Sequence, residues 1–197
     1  MTIASWPTGV GIKNIDWDFI DPAQVNRSVV NNKRSVAILT DAPMIEASFE
    51  LVPIMGVAGI LNWRAFIFQL RGVANKFRLL ATEGAQPVSG NPVVNGAGQT
   101  GLAISTSWGI SNATVMKAGM LATINDQLLG LQADVVTNGS GIATMTFHRA
   151  VLPSPANGAA IEVRNPTALV ARKSTTARWS VDPAQLYGVK LEVEESL

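Results

Sequence analysis

Gly96-Ala-Gly98-Gln-Thr-Gly101 fits the G-x-G-x-x-G pattern that cradles a dinucleotide pyrophosphate, and it follows the apolar pair Val93-Val94. That chemistry needs a helix N-terminus directly after the glycines and an acidic residue closing a second parallel strand. Here the strand-like run Leu102-Ala-Ile-Ser-Thr follows and no such acid is evident, so the glycines are expected to make a turn. No complete G-x-x-x-x-G-K-[ST] signature is present. Asp16, Asp18 and Asp21 offer three carboxylates that could serve a metal or an acid pair. On a strand Asp16 and Asp18 would point the same way, roughly 7 Å apart, too far to share an ion without further ligands. A solvated strand face is expected, or a contact with basic side chains of a neighbouring subunit.

His148 is the sole histidine, which excludes a two-histidine zinc site and a facial triad within one chain. There is no G-x-S-x-G, and His148 ends the strand-like run Ile142-Ala-Thr-Met-Thr-Phe147, so it reads as a strand-end residue. Arg172, Lys173 and Arg178 gather around Ser174-Thr-Thr176 and could track phosphates. Without interleaved aromatics they read as a solvated loop or a contact to an acidic partner. Of the five tryptophans, Trp17 and Trp63 fit buried stripes, whereas Trp108 could anchor a small core or an interface. No catalytic, cofactor-binding or metal-binding residue is therefore assigned, and no cofactor is expected.

These residues must be held by a chain of 197 residues that is 47% hydrophobic, enough for one full core or two modest ones. A net charge of +1 gives no global field toward nucleic acid or an acidic membrane, so specific nucleic-acid binding is not expected. The absence of cysteine removes disulfides and thiolate chemistry and suits a reducing cytoplasm. Met1-Thr-Ile-Ala-Ser-Trp-Pro shows neither a basic region nor an apolar run, so no secretory signal is expected. The greasiest stretch, 51–68, is broken by Pro53, Gly56, Gly59, Asn62 and Arg64 and reads as core, with no membrane insertion.

Period-two alternation marks half-buried strands at Ile15, Trp17 and Phe19, at Ile45, Ala47, Phe49 and Leu51, and at Tyr187, Val189, Leu191 and Val193. A strand at 35–40 and a turn at Asp41-Ala-Pro43 predict a hairpin with the second of these. Ile60, Trp63, Phe66, Ile67 and Leu70 predict one helix, at about 57–71, stopped by Gly72 and clamped on a sheet; a strand follows at 75–81. Between Gln86 and Ile161 only Lys117, Asp126, Asp134 and Arg149 carry formal charge, against 15 basic and 14 acidic residues in the whole chain. Turn chemistry at Asn95-Gly96, Asn125-Asp126, 138–141 and 153–158 divides that stretch into short strands at 102–106, 120–125, 128–136, 142–148 and 160–163. The expected fold is mainly β: a β-barrel or sandwich domain with one flanking helix, from 1–85 and 167–197, plus a small β-sandwich or barrel module inserted at 86–166. The weakly charged surface of that module is expected to touch other protein.

Several stretches carry a resemblance: Ile15-Asp-Trp-Asp-Phe-Ile-Asp-Pro-Ala-Gln-Val-Asn-Arg-Ser28, Trp63-Arg-Ala-Phe-Ile-Phe-Gln-Leu-Arg-Gly72 leading to Asn75-Lys-Phe-Arg-Leu79, Lys117-Ala-Gly-Met-Leu-Ala-Thr-Ile-Asn125, and Pro166-Thr-Ala-Leu169. As a set, and in order over most of the chain, they resemble distal tail and tail-tip minor proteins of long-tailed bacteriophages. Gly119, Asp134 and Pro153 fit the outline of the insert in such families, while no sugar-binding signature can be located in it. The resemblance implies a virion structural protein, made in the host cytoplasm and placed at the tail tip. Its partners would be itself, in a ring that is usually six-fold, the tail tube protein, and hub or fibre proteins around a lumen for DNA. It implies no catalytic residues. The alternative is a β-sandwich module binding host cell-surface glycan, with Trp108 or another exposed aromatic as the stacking platform. A serine or carboxylate hydrolase using His148 or Asp16 stands third.

Overall fold

The computed structural model of the protein describes residues 2–38 and 44–197, and every count below refers to those residues. The chain opens with β1 (Ile3–Ala4), β2 (Ile12–Ile20), β3 (Ala23–Arg27), β4 (Arg34–Ile38), β5 (Met44–Leu51) and β6 (Ile54–Met55), followed by α1 (Gly56–Leu70) and β7 (Lys76–Leu80). Next come β8 (Val93–Val94), β9 (Gly101–Ser107), β10 (Thr114–Met116), β11 (Leu121–Ile124), β12 (Gln127–Gly130), β13 (Val135–Val136) and β14 (Ile142–Val151). β15 (Thr167–Arg172), β16 (Ser180–Val181), β17 (Leu186–Gly188) and β18 (Lys190–Glu195) close it. The protein is mainly β with a single helix, as the sequence predicts.

Two compact units form, Met1–Arg78 with Leu169–Leu197, and Leu79–Ala168. The sequence predicts an insert at 86–166; the second unit is longer at each end. The reason is backbone pairing: Ala81 N–H donates to the Pro166 carbonyl (2.9 Å) and Gln86 N–H to that of Arg164 (2.8 Å), tying the outgoing and returning segments together.

The first unit is built on a six-stranded sheet in the order β1-β7-β15-β18-β5-β2. Strand β5 sits between β18 and β2, antiparallel to both, with Phe49 opposite Leu191 and Ile15, and Ala47 opposite Val193 and Trp17. Because side chains alternate along a strand, this register sends Ile45, Ala47, Phe49 and Leu51 to one face, all buried. The predicted hairpin between 35–40 and β5 is not formed. β4 pairs with β3 instead, Val25 opposite Val36, and the proposed turn at Asp41-Ala-Pro43 lies outside the described residues.

Helix α1 contains Gly56, Gly59 and the β-branched Val57, Ile60 and Ile67, poor helix formers that each lose roughly 0.4–1 kcal/mol against alanine. Burial of Ile60, Trp63, Phe66, Ile67 and Leu70 outweighs that loss, at about 1.5–3 kcal/mol apiece. Trp6 is the hub of the packing, with ring centroids 5.7 Å from Phe49, 6.2 Å from Trp63, 5.6 Å from Phe66 and 5.9 Å from Phe77. Its indole N–H donates to the Val10 carbonyl at 2.9 Å, so its one polar atom is satisfied. The helix stops at Arg71, which takes the left-handed conformation at φ 47° one residue before Gly72.

The second unit buries its own core, with Trp108, Met116, Leu129, Met145, Phe147 and Val151 among its members. β14 pairs with β9, which pairs with β8, and β11 with β12 and β10 with β13 form two small ribbons. The predicted strand 128–136 is divided: β12 ends at Gly130 and β13 starts at Val135. The predicted strand at 160–163 is reduced to bridges from Ala160 to Val93 and from Glu162 to Thr123. Phe77→Ala is expected to lower the stability of the first unit by about 3–5 kcal/mol, because its fully buried ring packs against both Trp6 and Phe66. Urea unfolding followed by tryptophan fluorescence measures it.

Candidate interaction surface

Residues singled out for chemistry are scattered, and several are structural. Gly96, Gly98 and Gly101 all have positive φ (107°, 75° and 90°) in a turn between the antiparallel strands β8 and β9, with no helix behind them. Gln99 holds that turn: its amide donates to the carbonyls of Asn95 (2.9 Å) and Gly96 (3.0 Å), and its oxygen accepts from Ser105 N–H (2.6 Å). His148 lies on β14, where its Nδ1 accepts the Gly130 N–H at 2.9 Å. A side chain at position 130 would meet that ring at 3.2 Å, so glycine there makes room for the imidazole. Among the described residues no group of three or more His, Asp or Glu is placed to hold a metal ion, and no helix is long and apolar enough to cross a membrane.

Trp108 is 3% exposed in the core of the second unit, and its indole N–H donates to the Thr106 hydroxyl at 2.9 Å, so it is no stacking platform. Arg172, read from sequence as part of a solvated loop, is buried at the end of β15. Register sets it opposite Val193, on the face that carries Phe49, and among the described residues its Nε and Nη2 have no hydrogen-bond partner. Burial pushes its guanidinium below the usual arginine range. Lys173 and Arg178 are exposed, as expected. Arg64 stacks between aromatic rings, 5.5 Å from the Trp179 centroid and 5.7 Å from that of Tyr187.

The scarce charges of the second unit are used internally. The Lys117 ammonium donates to Asp134 at 2.8 Å, Ala118 N–H donates to the same carboxylate at 2.9 Å, and buried Arg149 donates through Nη2 to the Leu128 carbonyl at 2.7 Å. Exposed large apolar side chains concentrate elsewhere: only Leu80, Leu102, Val136 and Leu152 of the twenty belong to the second unit. The candidate contact surface is therefore sought in the first unit, where the exposed apolar side chains are concentrated.

Three features make up that surface. The β3–β4 hairpin forms a two-stranded sheet of its own, with every residue from Ala23 to Ala37 exposed. Its tip is tied by Ser28 N–H to the Lys33 carbonyl (2.9 Å) and by Asn32 N–H to that of Ser28 (3.0 Å). This leaves Val29 and Val30 102% and 96% exposed. Strand β2 is an edge of the main sheet, and its apolar side, expected to be buried, carries half-buried Ile15 and Trp17 and then Phe19, 45% exposed; Ile20, 40% exposed, lies on the other face. On α1, Val57, Leu61 and Phe68 recur at helical spacing on the side away from the core, all exposed.

The opposite face of β2, β5 and β18 is acidic. Register aligns Asp18 with Glu46 and Glu194, Asp16 with Ser48 and Glu192, and Asn14 with Glu50 and Lys190. Asp16 and Asp18 are exposed, as read from sequence, and so is Asp21. Lys173 donates to Glu46 at 2.6 Å; that hydrogen bond, helped by the fields of Glu46, Glu194 and Glu192, holds its ammonium above the usual lysine range. Lys13 reaches Glu50 at 3.4 Å.

No protein-family model matches the chain, and no curated protein matches it significantly.

Arg172→Met is expected to leave thermal stability unchanged or to raise it, since it removes a buried cation whose Nε and Nη2 have no hydrogen-bond partner among the described residues. Arg149→Met is expected to lower stability by about 1–3 kcal/mol, because the Leu128 carbonyl loses its charged donor. Calorimetry of the two variants separates them. The Lys117 hydrogen bond, with that of Ala118, depresses the Asp134 pKa, so its contribution to stability is present above the ordinary carboxylate range and is lost as pH falls through the depressed value. Asp134→Asn is accordingly expected to lower the unfolding midpoint at neutral pH, with the difference from the wild type closing in acid.

Proposed function

We propose that this chain is a ring-forming structural protein at the distal end of a long-tailed bacteriophage tail, joining the tail tube to hub or fibre proteins around a lumen for DNA. The observation that carries the assembly half of this reading is the β3–β4 arm. An isolated two-stranded hairpin is marginally stable in water, and fully exposed valines at its tip gain nothing in a solitary chain. Edge strand β2 and the outer stripe of α1 are further surfaces that another protein would cover. A head-to-tail contact between different surfaces of successive copies closes into a ring when its rotation divides the circle. The tail assignment rests on the resemblance of the segments quoted above. Its role is geometric, so no substrate is turned over.

The purified protein is expected to sediment as a closed oligomer and to appear annular by electron microscopy. Val29→Asp with Val30→Asp is expected to weaken assembly by about tenfold or more, the equivalent of roughly 1.4 kcal/mol, with an unchanged melting temperature in dilute solution. A strictly monomeric profile at high concentration, without binding to tail proteins, overturns the reading. The glycan-binding alternative loses Trp108 and rests instead on Trp179, a half-buried aromatic beside an open cleft of about 400 Å³ shared with Glu50, Arg178 and Lys190. Glycan binding abolished by Trp179→Ala would favour it.

A further inference from the structure

We infer that the acidic face of β2, β5 and β18 is the receptor for the β3–β4 arm of a second copy of this chain. The inference rests on the assembly reading above and assigns its partner surfaces.

Both elements are electrostatically unfavourable when alone. Across the sheet, Asp18, Glu46 and Glu194 stand side by side on three adjacent strands, with Glu192 and Asp16 in the next row. Like charges directly opposite one another on paired strands destabilise the pair. Among the described residues Lys173 hydrogen-bonds to Glu46. The arm has the mirror-image problem. Arg27 lies directly opposite Arg34, Lys33 adjoins them, and no acidic residue occurs between Pro22 and Ile38. Each set of charges therefore repels within its own chain and is neutralised by the other.

The dimensions agree. Arm strands of five residues and the acidic rows from Asn14 to Asp18, also five residues, each extend about 14 Å at roughly 3.4 Å per residue. The exposure of the whole arm shows that it does not lie on its own sheet in this structure. A neighbour of the same sequence carries the complementary surface without any further partner. Arm on face is a heterologous contact, since the donating and receiving patches differ, and it leaves each copy one arm to give and one face to fill.

Complementary charge reversal tests this. One variant carries Arg27→Glu and Arg34→Glu; the other carries Asp16→Lys and Asp18→Lys. All four positions are exposed, so both variants are expected to fold, checked by circular dichroism and melting temperature. Each alone is expected to lose assembly, shifting the association midpoint at least tenfold in analytical ultracentrifugation. An equimolar mixture is expected to recover it. An acidic arm then meets a basic face and the reverse, so the two variants must alternate, and native mass spectrometry should find them in equal numbers. Wild-type assembly is expected to weaken as salt rises, since these charges are exposed. Assembly by either variant alone, or none in the mixture, overturns the assignment of the receptor while wild-type oligomers leave the ring reading standing. A monomeric wild type overturns both.

Discussion

Everything in the first unit follows from the register of β5 between β2 and β18. A slip of one residue would turn Ile45, Ala47, Phe49 and Leu51 outward and bring Glu46, Ser48 and Glu50 into the core. Burial of the first set makes that slip prohibitive, at about 1.5–3 kcal/mol for each large side chain. The same constraint has a second result: carboxylates from three strands are forced into rows on the other side. The protein tolerates their repulsion because the hydrophobic face fixes the register regardless. Core packing and the acidic surface are therefore two sides of one constraint.

The aromatic cluster shows how the helix is fixed to that sheet. Trp6 comes from a short N-terminal segment that has no periodicity and contacts residues of two strands and the helix. Its half-burial keeps the indole N–H on a backbone carbonyl while the ring body fills the space between helix and sheet. Arg64, on a neighbouring side of the helix, is held between two rings. The outer stripe of Val57, Leu61 and Phe68 then remains exposed, so the helix is apolar on two sides.

Alternation and helical spacing were readable wherever a segment buries one face. Strand β5 and all five buried positions of α1 stand where periodicity puts them, and 187–193 buries its alternate residues although it is divided between β17 and β18 in two different sheets; in β2 Ile15 and Trp17 are only half-buried and Phe19 is exposed. What escaped has identifiable causes. Strand β3 follows Asp21-Pro22 and contains Gln24, Asn26 and Arg27; with no buried face it has no alternation to read. Strand β4 is separated from β5 by a short stretch of turn-like sequence and so reads as its hairpin partner, whereas its actual partner, β3, precedes it. Leu131 prolonged the apolar run of β12 and hid the break before β13, since it is itself buried and bridged to Phe147. Arg172 carries a charge that sequence reading places in water, and only the register opposite Val193 reveals it inside. The spacing of Asp16 and Asp18 was legible, but their alignment with Glu46 and Glu194 is a property of strand pairing.

One small feature closes the second unit on itself. At its base Gln86 acts as a clasp: its side-chain amide donates to the carbonyls of Leu121 and Val163 and its oxygen accepts from Leu121 N–H, while Ala81 and Gln86 pair by backbone with Pro166 and Arg164. The long excursion is therefore stapled shut where it begins, and the loop-closure entropy of some ninety residues is met by bonds made inside the module. A cassette closed in this way could be lengthened, trimmed or exchanged without asking its host strands to readjust, which makes the base of the clasp a natural splice point for diversity.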